Sequence, residues 1–236
     1  MKNFFSIFAP KKFKISTPEY VDRHLGRNFI ILGGGPTVKA SFKEIINLQK
    51  KYNAIVIGTN KPFEKIQSDY QLFTNRKRWR EFGTELETST KVLLGVHLPR
   101  KEIELSDQYE LAMYVNSDDI FDIKGGVITA NCRTTAVLAI AISIVMGADR
   151  IFIAGLDGYS NLIRNKTDVH FYRNDDTPKT SEALDMHYDY LLDVEKKNAF
   201  YLKQIQEYLL KENKKTFKIV TETVFSDFFH PLKAIL

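Results

Sequence analysis

The chain has 236 residues, 44% hydrophobic and 27% charged, with a net charge of +5. That is the composition of a water-soluble globular protein, with enough chain for one sizeable α/β domain. A single cysteine, Cys132, excludes an intrachain disulfide and a thiolate zinc cluster, and the longest apolar run, AVLAIAISIVMGA, is shorter than the roughly 18–20 residues of a membrane helix.

Residues 1–27 read as an N-terminal arm before a domain spanning 28–236. The arm holds aromatics and lysines but no signal-peptide cleavage pattern. Its Phe4, Phe5, Phe8 and lysines suit peripheral contact with the inner membrane as well as a poorly ordered tail. FIILGGGPT (Phe29 to Thr37) is a buried strand broken by glycines, and VKASFKEIINLQKKY follows at helical spacing. NAIVIGTN is a second strand ending at Asn60, KPFEKIQS a short helix or turn, and DYQLFTN a third strand ending at Asn75. RKRWREFG starts a helix closed by Gly83. Strands are expected at Lys91 to Leu98 and Tyr109 to Asn116, then a polar loop from Ser117 to Gly126. VITANCRTTAVLAIAISIVMGA enters a buried helix that should stop at a left-handed Gly147. DRIFIAGLDGY is a strand and its following loop. Ser160 to Ser181 is polar, without periodicity, and long for a plain connection, so it reads as a lid. A helix from about Ala183 to Lys211 and the strand FKIVTETV complete the chain.

Apolar strands alternating with helices predict a doubly wound, mostly parallel, Rossmann-like sheet covered on both faces. Ligands of such sheets sit beyond the carboxyl ends of the strands, which here read GGGPT, GTN, FTN and AGLDGY. Gly33, Gly34 and Gly35 let backbone approach a ligand, and the next helix would offer amides to a phosphate; a tight structural turn is the plainer alternative. The stretch is neither G-x-G-x-x-G nor a Walker loop. Asn60 and Asn75 suit a ribose hydroxyl or base edge, or simply cap helices. Asn131, Thr134 and Thr135 open the buried helix as caps or as a second phosphate or ribose site. Asp157 is placed to support loop backbone, and Tyr159 to donate to a phosphate. His187, near Asp185 and Asp189, and His170, inside the lid, are the candidate general bases. The basic clusters RKRWRE and KENKK lack the patterns of nucleic-acid readers, so no nucleic-acid partner is expected and anionic small molecules or lipid surfaces account for the charge.

In order and spacing, GGGPTV, GTN, FTN, TTAVLAIAISIVMGADRIFIAGLDGY and a late histidine resemble the bacterial CMP-sialic-acid-dependent sialyltransferases of lipooligosaccharide synthesis. The resemblance runs from Phe29 to about Phe229. The chain is also similar to Rossmann-like domains of motility accessory factors and of pterin pyrophosphokinases. DYQLFTNRKRW and AGLDGYSN resemble domains attached to aldolase-like proteins in polysaccharide gene clusters.

The sialyltransferase resemblance implies that Gly33, Gly35, Pro36 and Thr37 hold the CMP phosphate and ribose. Asn60 and Asn75 would then contact nucleotide or donor sugar, and Thr134 and Thr135 the donor. Tyr159 and the lid's Tyr172 would stabilise the departing phosphate, and His187 would be the base. Gly34, Ala136 and Gly158 depart from that family's pattern. The expectation is a cytoplasmic, metal-independent glycosyltransferase taking a CMP-sugar donor and a saccharide acceptor, without a cofactor. A homo-oligomer is compatible with the sequence. The alternatives are a Mg²⁺-dependent pyrophosphokinase-type phosphotransferase, with carboxylates such as Asp157 as ligands, and a non-catalytic nucleotide-binding module of a polysaccharide-assembly enzyme.

Overall fold

The computed structural model describes residues 18–98, 109–165, 170 and 181–236, with backbone alone for 181–184. The arm's Phe4, Phe5 and Phe8, and Tyr172 with most of the expected lid, lie outside them.

Seven parallel strands form the main sheet: β1 (Asn28–Leu32), β2 (Ile55–Thr59), β3 (Tyr70–Phe73), β4 (Lys91–Gly95), β5 (Tyr109–Ala112), β9 (Arg150–Ala154) and β10 (Phe217–Ile219). Their order is β10-β9-β1-β2-β3-β4-β5, and every adjacent pair is parallel. This is the expected Rossmann-like α/β arrangement. Central strands are apolar along their length because both faces are covered. Phe29 and Ile31 pack with α4 (Thr135–Val145) and α6 (Ser181–Lys211). Ile30 and Leu32 pack on the opposite face with α2 (Phe42–Tyr52) and α7 (Leu232–Ile235). α4 sits so deep that Ala136 through Val145 are all buried, and Ser143 satisfies its hydroxyl on the Ile140 carbonyl at 2.7 Å. The helix ends as expected at Gly147, φ 89°. There the Gly147 and Ala148 amides donate to the Ile144 and Ser143 carbonyls, the Schellman pattern. Among the described residues no helix is long and apolar enough to cross a membrane.

Three expectations are corrected. Tyr109 to Asn116 is not one strand. At Met113 the amide donates to the Tyr20 hydroxyl while its carbonyl accepts from Ile128, so the chain leaves the main sheet after β5. It enters a small sheet of β6 (Tyr114–Val115), β7 (Asp122–Lys124) and β8 (Val127–Thr129). The stretch read as a polar loop therefore contains a strand. β7 and β8 form an antiparallel hairpin about Gly125–Gly126, with φ 56° and 79°, the positive values a two-residue hairpin turn requires. Asp122 and Lys124 are exposed on that strand, which disguised it as loop. Gly83 closes α3 (Arg76–Phe82) as expected, with φ −62°, and the chain tightens into a 3₁₀ turn through Glu85. Finally, the expected lid begins as a helix, α5 (Ser160–Arg164).

Candidate functional site

After β1 the chain crosses one face of the sheet to reach β2, and after β9 it crosses the other to reach β10. Neighbouring strands whose connections depart in opposite directions leave a crevice at their carboxyl ends. A cleft of about 350 Å³ lies there. It gathers Gly34, Gly35, Asn60, Asn75, Thr134, Thr135, Asp157, Tyr159, His170 and His187 from the residues singled out in the sequence.

Its floor is two loops zipped together. The Gly33 and Gly35 amides donate to the Ala154 and Gly155 carbonyls at 2.8 Å each. A Cβ at Gly33 would stand 2.4 Å from the Gly155 oxygen, and one at Gly35 would stand 2.4 Å from the Asp157 carboxyl carbon. Those two positions lack side chains because another loop fills the space. Asp157, 7% exposed, accepts from the Thr37 amide at 3.0 Å and the Thr37 hydroxyl at 2.5 Å. Burial pushes its carboxyl pKa upward, opposed by those two bonds.

This changes the expectation for the glycine turn. Pro36 and Thr37 begin a helix of only four residues, α1 (Thr37–Ala40), and the Thr37 amide and hydroxyl are occupied by Asp157. Helix amides for a phosphate are not presented there. Gly33 lies behind the cleft, and Gly34 and Gly35 face it.

Asn60 ends β2 in the left-handed region, φ 58°. Its amide donates to the Leu72 carbonyl and its carbonyl accepts from the Gln71 side chain at 3.1 Å. Its Oδ1 is buried and has no hydrogen-bond partner among the described residues. A buried lone acceptor costs about 1–3 kcal/mol unless something donates to it. Asn75 caps α3 through bonds from the Lys77 and Arg78 amides, so its oxygen is engaged within the protein. Thr134 caps α4, accepting from the Val137 amide, and its own hydroxyl donates to Asn198 at 3.3 Å. The Thr135 hydroxyl shares a 2.9 Å bond with Thr74. Asn131 is not brought to the cleft; its side chain donates to Asp118 at 2.7 Å.

The facing wall is α6, which contributes His187, Tyr190, Leu191, Val194 and Asn198 at the three- and four-residue spacing of one helical face. Glu195 of the same helix accepts from the Tyr159 and Ser160 amides at 2.5 and 2.8 Å. That bond pair anchors the loop after β9 to the wall. Arg78 and Arg133 complete the lining. Arg78 is paired with Glu81 at 2.5 Å, and the Arg133 guanidinium lies 5.8 Å from the Tyr190 ring centre.

Two arginines and two histidines therefore face a cleft whose lining carboxylate, Asp157, is held by Thr37. His170 is driven down to a pKa of about 4, first by burial, then by the positive charges of Arg78 and His187, against a backbone contact with Gly34. At neutral pH it is an uncharged imidazole. The arrangement can hold an anionic ligand, accept a hydrogen bond at Asn60, and place a histidine beside an incoming hydroxyl. Among the described residues no group of three His, Cys, Asp or Glu side chains is placed to hold a metal ion.

Sequence reasoning missed Arg78, Arg133, Thr74, Tyr190 and Asn198. Signals existed for some: Arg78 lies four residues before buried Phe82 on one face of α3, and Asn198 falls on the stripe through His187, Leu191 and Val194. Arg133 sat unassigned inside the quoted NCRTTA.

No protein-family model matches the chain, and no curated protein sequence does. Among solved structures the fold is similar to the sialyltransferase CstII from Campylobacter jejuni, determined with cytidine-5'-monophosphate. The TM-score is 0.50 at 13% identity over 88% of this chain and 86% of that one. A looser likeness, TM-score 0.39 at 13% identity, links 68% of this chain to 26% of the MAf glycosyltransferase from Magnetospirillum magneticum, and it carries no argument. At this identity the first likeness is one of fold.

Proposed function

We propose that the protein is a glycosyltransferase that moves a sugar acid from its CMP-activated form to a saccharide hydroxyl by direct displacement, without a metal. The observation that carries this reading is the cleft lined by two arginines at the switch point, with the buried Asn60 Oδ1, unpartnered among the described residues, within it. A sugar acid joined to CMP brings a phosphate and a carboxylate to Arg78 and to the N–H groups of the imidazoles. The nucleotide brings hydroxyl and amino donors that could satisfy Asn60. The shared fold of a sialyltransferase solved with CMP supports the choice of nucleotide. The glycine turn would lie under the nucleotide, with Thr134 and Thr135 beside the donor.

In the reaction, a new bond forms between the acceptor oxygen and the anomeric carbon as the bond from that carbon to the phosphate oxygen breaks. The electron pair of the broken bond leaves with CMP. His187 takes the acceptor's proton, and the Tyr159 hydroxyl and the nearby arginine charge steady the departing phosphate. Fixed donors aimed at developing charge are among the strongest contributions to catalysis.

His187→Ala tests the assignment of the base. Turnover should fall by about 10²–10⁴-fold, with CMP affinity nearly unchanged, since the proton is transferred mainly in the transition state. His170→Ala is the comparison. Loss of turnover in the His170 variant with retention in the His187 variant would move the base to His170. Parental turnover in both would end histidine base catalysis.

A further inference from the structure

The cleft has a donor side and an open side. Asn60, the glycine turn and the two threonines lie at the strand ends, whereas His187 projects from α6. If His187 removes the acceptor proton, the acceptor must rest against α6 within reach of that imidazole. One turn further along the helix is Tyr190, which lines the cleft yet is 52% exposed. The tyrosines inside the fold are different: Tyr20, Tyr70 and Tyr201 are exposed by 2% or less. Met186, four residues before Tyr190, is 70% exposed, so apolar surface stands open on this rim of the helix. The Arg133 guanidinium lies over one face of the ring, 5.8 Å from its centre. Among the described residues no carboxylate forms an ion pair with Arg133.

We propose that Tyr190 and Arg133 form the acceptor subsite and that it takes an acidic saccharide. The proposal rests on the glycosyltransferase reading and specifies its second substrate. The C–H face of a pyranose carries slight positive charge and packs on the negative face of an aromatic ring. Arg133 supplies a planar fork of N–H donors matched to a carboxylate. A neutral sugar would use the ring and leave the guanidinium without a counter-charge, so charge as well as shape selects the ligand. With the pyranose on Tyr190 and its carboxylate at Arg133, a ring hydroxyl falls toward His187, one helical turn away.

The test is saturation-transfer NMR on the CMP-loaded protein with methyl β-glucuronide and methyl β-glucoside, which differ at one carboxylate. The glucuronide should receive several-fold more saturation than the glucoside, chiefly on its C–H face. Tyr190→Ala should abolish transfer to both, and Tyr190→Phe should keep it because the ring remains. Arg133→Gln should bring the glucuronide down to the glucoside level. Signals from CMP in the same spectra report that each variant is folded. CMP signals with no transfer to either glycoside, or with equal transfer in Tyr190→Ala, overturn the acceptor subsite and leave the nucleotide reading standing. Preference for the glucoside overturns the acidic class. Absence of CMP signals in the parent protein overturns the nucleotide reading and the subsite together.

Discussion

A carboxylate enclosed by protein is stable only where donors meet it, and Asp157 is met by both donors of Thr37. The space for it is the missing side chain of Gly35. Gly35→Ala would put a methyl carbon 2.4 Å from the carboxyl carbon, and overpacking of this kind costs about 1–3 kcal/mol. Asp157→Ala would strand the Thr37 donors at a similar cost of about 1–3 kcal/mol. The two substitutions share one space, so in denaturant titrations the double variant should be less destabilised than the sum of the singles. Strict additivity would mean that the glycine turn and the β9 loop are not coupled through this contact. His170 gives a pH signature. Its folded pKa of about 4 lies below the ordinary histidine value of 6.5, so the unfolded chain takes up the proton first as pH falls. Stability should therefore be intact above about 6.5, decline between about 6.5 and 4, and lose nothing further from this group below that window. The loss is on the order of 3 kcal/mol. His170→Gln should flatten the melting-temperature profile in that interval; an unchanged slope would contradict a neutral His170 with a lowered pKa.

The strand ends carry the chemistry because helices hold them in place, and two of those helices, α3 and α4, begin with side-chain caps from Asn75 and Thr134. Thr134 is where α4 starts, so Thr134→Ala should cost about 1 kcal/mol, read as a lower denaturant midpoint at constant slope. It also removes the bond to Asn198, loosening the junction between α4 and α6. A cost of zero would mean that burial alone fixes the start of α4. The parallel sheet was legible in the sequence because runs such as FIIL and AIVIG must be buried on both faces to make sense. The carboxyl-end cleft followed from the same rule, since parallel strands end on one side. The small sheet was not legible. β6 has only two residues, and β7 alternates exposed charge with one half-buried isoleucine, so neither rises above the signature of a loop. The division of labour among the glycine-turn residues was hidden for another reason. That Thr37 spends its amide on Asp157 depends on a contact between residues 120 positions apart, which no local pattern reports. Asn75 and Thr134 were legible as caps. Their place in the cleft followed only once β3 and α4 were set side by side.

At the scale of the molecule, seven parallel strands reverse their winding between β9 and β1, and the cleft opens at that reversal. Arg78 and Arg133 bring positive charge to its lining, around an Asn60 acceptor that has no donor among the described residues. Under the proposed function this cleft takes a cytidine nucleotide and uses protein groups rather than a divalent cation to do so. Thermal unfolding with CMP in EDTA tests that claim most directly. A ligand at one hundred times its Kd stabilises the folded state by about 2.7 kcal/mol, which for a chain of this size raises Tm by roughly 5–10 °C. A rise of that order is expected with CMP, unchanged by added Mg²⁺. No shift with CMP, together with stabilisation by ATP or GTP only when Mg²⁺ is present, would contradict it and point to a phosphotransferase.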